Sequence, residues 1–96
     1  MTYSLSKLGD GNSPTGVGDS GPMSMALWKG EDGKVASEQN ARPRVGVAMR
    51  VGTMFARSYS AQDWWQTTAI SEIVEDTPGR VLFKTASGSL YEWTEF

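Results

Sequence analysis

Residues 42–57 carry four arginines, at 42, 44, 50 and 57, and no acid. The rest of the chain leans the other way. Residues 1–41 hold three basic and five acidic side chains, and residues 58–96 hold two and six, which leaves a net charge of -2. A guanidinium forks phosphate oxygens through paired N–H donors and stacks on flat rings. Aromatic residues follow at once, with Tyr59, Trp64 and Trp65. Cations beside π-faces suit a ligand that has both charge and a ring, and a phosphate-bearing nucleotide is that kind of ligand. The competing reading pairs these arginines with the acids of residues 58–96, so that they do no more than solvate a sheet.

Other chemistry is excluded by composition. The 96 residues contain no Cys and no His. Disulfides, thiolate nucleophiles, imidazole bases and the common transition-metal ligands are therefore absent. Gly16-Val-Gly18-Asp-Ser-Gly21 has the form G-x-G-x-x-G. Pro14 precedes it and Pro22 follows, which leaves no strand–turn–helix context for a dinucleotide. Residues 18–22 have the form of the nucleophile segment of trypsin-like proteases, but Ser20 has no histidine to activate it. Asp10-Gly-Asn12 lacks the twelfth-position glutamate of a calcium loop and reads as a turn. Glu72, Glu75 and Asp76 read as a solvated strand edge rather than a glycosidase pair. No catalytic residue, metal site or cofactor is expected, and the chain is not expected to be an enzyme.

The length suits one domain, since half of it could not bury a core of its own. No apolar run approaches the roughly 20 residues of a membrane helix, and residues 1–7 do not read as a signal peptide. Seven of the eleven glycines precede residue 34. With Pro14 and Pro22 among them, residues 9–22 read as a loop or disordered arm. Residues 23–28 could be a short strand or a turn of helix, residues 31–34 a turn, and 35–41 are ambiguous.

Beyond Pro43 the pattern has period 2. Val45, Val47, Met49 and Val51 alternate with Gly46, Ala48, Arg50 and Gly52, which predicts a strand with one buried side. Gly52-Thr53 suits a two-residue turn, with residues 54–60 returning. Residues 66–75 read as a third strand. Thr77-Pro78-Gly79 is a turn, residues 81–85 a fourth strand, Ser87-Gly88 a reversal, and residues 90–96 a closing strand. The fold class is all-β: a small antiparallel meander or barrel of about five strands over residues 44–96, with a Gly/Pro-rich arm over 1–41.

The predicted hairpin sets the candidate site. If Val51 opposes Met54, then Arg50 opposes Phe55, Ala48 opposes Arg57 and Gly46 opposes Tyr59. Opposed residues share a face. Val45, Val47, Met49, Val51, Met54 and Ala56 fall on the core face. Arg44, Arg50, Phe55, Arg57 and Tyr59 fall on the other, shallow in its middle at Gly46 and Ala48. Trp64 and Trp65, adjacent on a strand, point to opposite faces, so that one can be core and the other a stacking surface. Tyr91, Trp93 and Phe96 complete a core or support self-association through the last strand.

The run 42–52 (RPRVGVAMRVG), with residues 56–59 (ARSY), 62–68 (QDWWQTT), Ile70, Glu72-Ile73, Val81, Phe83, Thr85, Tyr91 and Trp93, resembles small uncharacterised phage-encoded accessory proteins of the counter-defence type. The resemblance covers residues 42–96. It implies a viral origin and a non-enzymatic role in the host cytoplasm. Relatives of that type include sponges that trap nucleotide immune signals and anti-CRISPR inhibitors.

The expected function is sequestration of a small phosphate-bearing nucleotide signal by a homo-oligomer. Arg44, Arg50 and Arg57 would take the phosphate, and Tyr59 with Trp64 or Trp65 the base. The alternative is a protein-interaction module, either an inhibitor docked on a host immune protein or a minor virion part. Neither a membrane nor a long nucleic acid is an expected partner.

Overall fold

Strands with one apolar side must hide it. In the computed structural model two antiparallel sheets do so against each other. The structure describes residues 2–53 and 64–96. Among them the strands are β1 (Tyr3–Leu8), β2 (Pro14–Gly21), β3 (Met23–Lys29), β4 (Val35–Gln39), β5 (Ala48–Gly52), β6 (Trp64–Gln66), β7 (Ile70–Thr77), β8 (Arg80–Thr85) and β9 (Leu90–Glu95). One sheet has the order β2-β1-β9-β8-β7, the other β4-β3-β5-β6. The all-β antiparallel class is therefore as expected. No described helix is long and apolar enough to cross a membrane.

The connectivity differs from the expected meander. Among the described residues of 44–96, β7-β8-β9 runs as a meander, with residues 78–79 as a tight turn, while β5 and β6 pair in the other sheet. Residues 2–41 are built into both sheets rather than appended to one. β1 pairs with β9, and Thr2 and Phe96 exchange backbone hydrogen bonds of 2.9 Å each way. β3 lies between β4 and β5.

The segment read as a loop or arm holds β2, paired with β1. Glycine helps here as well as hindering. A Cβ on Gly18 would overlap the backbone carbonyl of Leu5, so only a residue without a side chain lets β2 lie against β1. Pro14 begins β2, a position where a missing N–H does little harm.

The core comes from both sheets. Tyr3, Leu5, Val81, Phe83, Tyr91 and Trp93 of one face Ala26, Met49 and Val51 of the other, with Val47 and Ile70 beside them. Phe83 opposes Tyr91 in register and their rings stack at 5.7 Å. Two hydrogen bonds cross the core. Trp93 Nε1 donates to Ser24 Oγ at 2.9 Å, and Ser24 in turn donates to the Ala41 carbonyl. Trp65 Nε1 donates to the Tyr91 hydroxyl at 3.1 Å. Burying an indole N–H without a partner would cost about 1–3 kcal/mol, so these contacts fix how the sheets face each other.

Candidate functional site

β5 carries the predicted alternation. Val47, Met49 and Val51 are buried and Arg50 points outward. The alternation begins later than the sequence suggests. The strand starts at Ala48, and Val45 sits in a turn with Gly46 (φ +96°), 60% exposed instead of in the core.

The partner of β5 also differs. Arg50, Val51 and Gly52 pair with Met25, Ser24 and Met23 on one side and with Gln66, Trp65 and Trp64 on the other. β3 and β6 occupy the two edges of β5, and Met54, the predicted partner of Val51, lies outside the described residues. Gly52 is a strand residue rather than the first residue of a turn. The predicted return strand, with Phe55, Arg57 and Tyr59, lies outside the described residues. The expected third strand over 66–75 is divided, with β6 ending at Gln66 and β7 starting at Ile70.

Trp64 and Trp65 separate as strand geometry requires. Trp65 opposes buried Val51 and packs on the core. Trp64 opposes Gly52 on the outward face, where the Arg50 guanidinium lies 4.1 Å from its ring centroid. Gln66, on the same face, accepts from Arg50 Nε at 3.0 Å and Nη2 at 2.6 Å. Arg50 therefore rests on a ring and a neutral amide and, among the described residues, makes no ion pair.

Arg44 is held elsewhere. Its guanidinium lies 5.1 Å from the Trp28 ring centroid, and Nη1 meets Glu38 at 2.9 Å. Trp28 shares the inward side of β3 with buried Ser24 and Ala26, whereas Arg50 opposes Met25 on the outward side. The structure therefore does not bring Arg44 and Arg50 onto one surface. The predicted site, with all its cations on one side of a single ribbon, is not formed by these two.

A different cluster surrounds Arg44. An open depression of about 490 Å³ is lined by Trp28, Lys29, Arg44, Val45, Gly46 and Val47. It has two cations and no carboxylate in its lining. Gly46 and Val47 are held by backbone bonds to Ile70, so the floor is tied to β7. Trp28 is already covered by Arg44 on one side and packed against the core. The flat surface left for a ligand is the outer plane of the guanidinium itself. Lys29 and Trp28 escaped the sequence reading because they precede the arginine-rich segment. Only the β3–β5 pairing brings them near Arg44.

Arg42 completes the set. It lies 5.3 Å from the Trp93 ring centroid, donates to Asp76 at 2.6 Å and to the Thr77 carbonyl at 3.1 Å, and so closes the core. The chain matches no family model, no curated protein and no solved structure.

Proposed function

We propose that the protein is a non-catalytic binding module for a small phosphate-bearing nucleotide, with its site at the Trp28–Lys29–Arg44 depression. The observation that supports this is the lining: two cationic residues and no acid, with the Arg44 guanidinium lying over Trp28, in a protein whose net charge is -2. Arg44 contributes a planar fork, and Lys29, which follows Trp28 on β3 and so starts from the other face, contributes a mobile point charge at the rim through its long stem. Glu38 holds Arg44 from behind the lining, and a phosphate entering the depression competes with that exposed ion pair, worth about 0–1 kcal/mol. The volume falls in the range of small-ligand sites. Withholding such a signal from a host receptor is the role the phage resemblance implies, and it requires affinity rather than turnover.

A thermal-shift screen against cyclic nucleotides, cyclic oligonucleotides and cyclic ADP-ribose isomers tests the proposal. A ligand at 100 times its Kd stabilises by about 2.7 kcal/mol. Arg44→Ala and Lys29→Ala should each abolish most of the shift while leaving the unliganded melting temperature nearly unchanged. No shift with any of these compounds, or an undiminished shift in both variants, would refute the assignment.

A further inference from the structure

Among the described residues the sheets end in four edge strands: β2, β7, β4 and β6. Natural edges are guarded against strand addition by proline, glycine, bulges, clustered charge or shortness. β2 has Pro14 and glycines at 16, 18 and 21. β7 has Glu72, Glu75, Asp76 and two register shifts. β6 is three residues long. β4 has none of these guards. Its five residues, Val35-Ala-Ser-Glu-Gln39, pair with β3 in unbroken register, and Val35 is 73% exposed.

The direction of its free backbone groups follows from the turn before it. Gly30 N donates to the Lys34 carbonyl at 2.8 Å, which makes Gly30 and Lys34 a hydrogen-bonded pair. Antiparallel pairs alternate between bonded and non-bonded. Trp28–Ala36 and Ala26–Glu38 are then bonded, while Lys29–Val35, Leu27–Ser37 and Met25–Gln39 are not. Val35, Ser37 and Gln39 therefore aim their N–H and C=O groups away from β3. Among the described residues no other strand takes them up.

We infer that β4 is a homodimerisation edge, pairing antiparallel with β4 of a second copy about a two-fold axis at Ser37. In that register Ser37 bonds to Ser37 of the partner subunit, and Val35 and Gln39 bond reciprocally across the axis. Every outward donor finds an acceptor. Charge agrees as well: Glu38 opposes Ala36 of the partner subunit, so no carboxylate meets another, and Glu38 is already held by Arg44. The two four-stranded sheets become one continuous sheet. This inference is independent of the nucleotide proposal, because it rests on backbone directions and not on the depression. A five-residue edge makes a small interface, so the dimer is of the weak, concentration-dependent kind.

Sedimentation equilibrium on the whole chain tests it. The expected mass rises with concentration from 10.4 kDa toward twice that value. Ser37→Pro removes only the outward N–H and should hold the mass at the monomer value with an unchanged β-sheet circular dichroism spectrum. Ser37→Lys, which alters no backbone group, places two ammonium groups side by side on the axis. It should weaken association, and added salt should restore it. A wild-type protein that remains monomeric to about 1 mM would overturn the inference. So would a dimer that tolerates Ser37→Lys at low salt.

Discussion

The outward faces of the two sheets hold their cations by different means. On the five-stranded sheet Arg80 lies between two carboxylates, Glu92 at 2.7 Å and Glu75 at 3.0 Å. The hydrogen bond to Glu92 raises its pKa above the ordinary value. A raised pKa contributes stability that is fully present below the unfolded value and is lost only as pH rises through the folded one. For an arginine that means strong alkali, so this cation stays charged and occupied throughout the working range. On the four-stranded sheet Arg50 is held by a ring and an amide, and Arg44, on its inward side, by a ring and one exposed glutamate. A carboxylate competes with an incoming anion, whereas an indole or an amide does not. The sequence shows arginines in both places. What grades these cations from occupied to available is the number of carboxylates that hold each among the described residues: two at Arg80, one exposed glutamate at Arg44 and none at Arg50.

Substitutions can break this contrast, starting with the residue that joins the two sheets. Trp93→Ala should cost about 3–5 kcal/mol in urea unfolding, because it empties a fully buried site and removes the indole donor to Ser24 Oγ. Gly18→Ala comes next, at about 1–3 kcal/mol, since the added methyl must push β2 off β1. Faster amide exchange confined to β1 and β2 would localise that effect. Arg80→Ala should lower the melting temperature slightly at low salt and negligibly at high salt. Arg50→Ala is the smallest in stability, within about 0.5 kcal/mol. It should also leave nucleotide binding intact, because Arg50 faces away from the Trp28 depression. Equal loss of binding in Arg44→Ala and Arg50→Ala would erase the distinction drawn between the two faces.

Much of the fold can be read locally. Val47, Met49 and Val51, then Val81 and Phe83, then Tyr91 and Trp93, declare their buried sides by alternation alone, and all are buried. Thr77-Pro78-Gly79 turns where its residue types require. Pairing partners are another matter. Period 2 says that a strand has a covered side but not which strand lies beside it. The nearest segment after Gly52 is therefore a natural guess, yet β3, more than twenty residues earlier, takes one edge. Residues 14–21 misled for a related reason. Gly and Pro disfavour a strand in isolation, but an edge strand that must pass close to a neighbour's carbonyl can require glycine. The candidate site was only partly visible. Arg44 could be named from its charge, but Trp28, Lys29 and Glu38 reach it through pairings that no local pattern encodes.

The reciprocal bonds between Thr2 and Phe96 bear on the order of assembly. β1 is flanked by β2, made soon after it, and by β9, made after every other described strand. A nascent chain can form the β1–β2 and β3–β4 hairpins early, but the five-stranded sheet has a gap at its centre until synthesis has passed position 96. The aromatic side chains that Trp93 will later cover must wait uncovered for that moment, so a ribosome stalled within β8 should display a species more prone to protease attack and chaperone capture than the released protein.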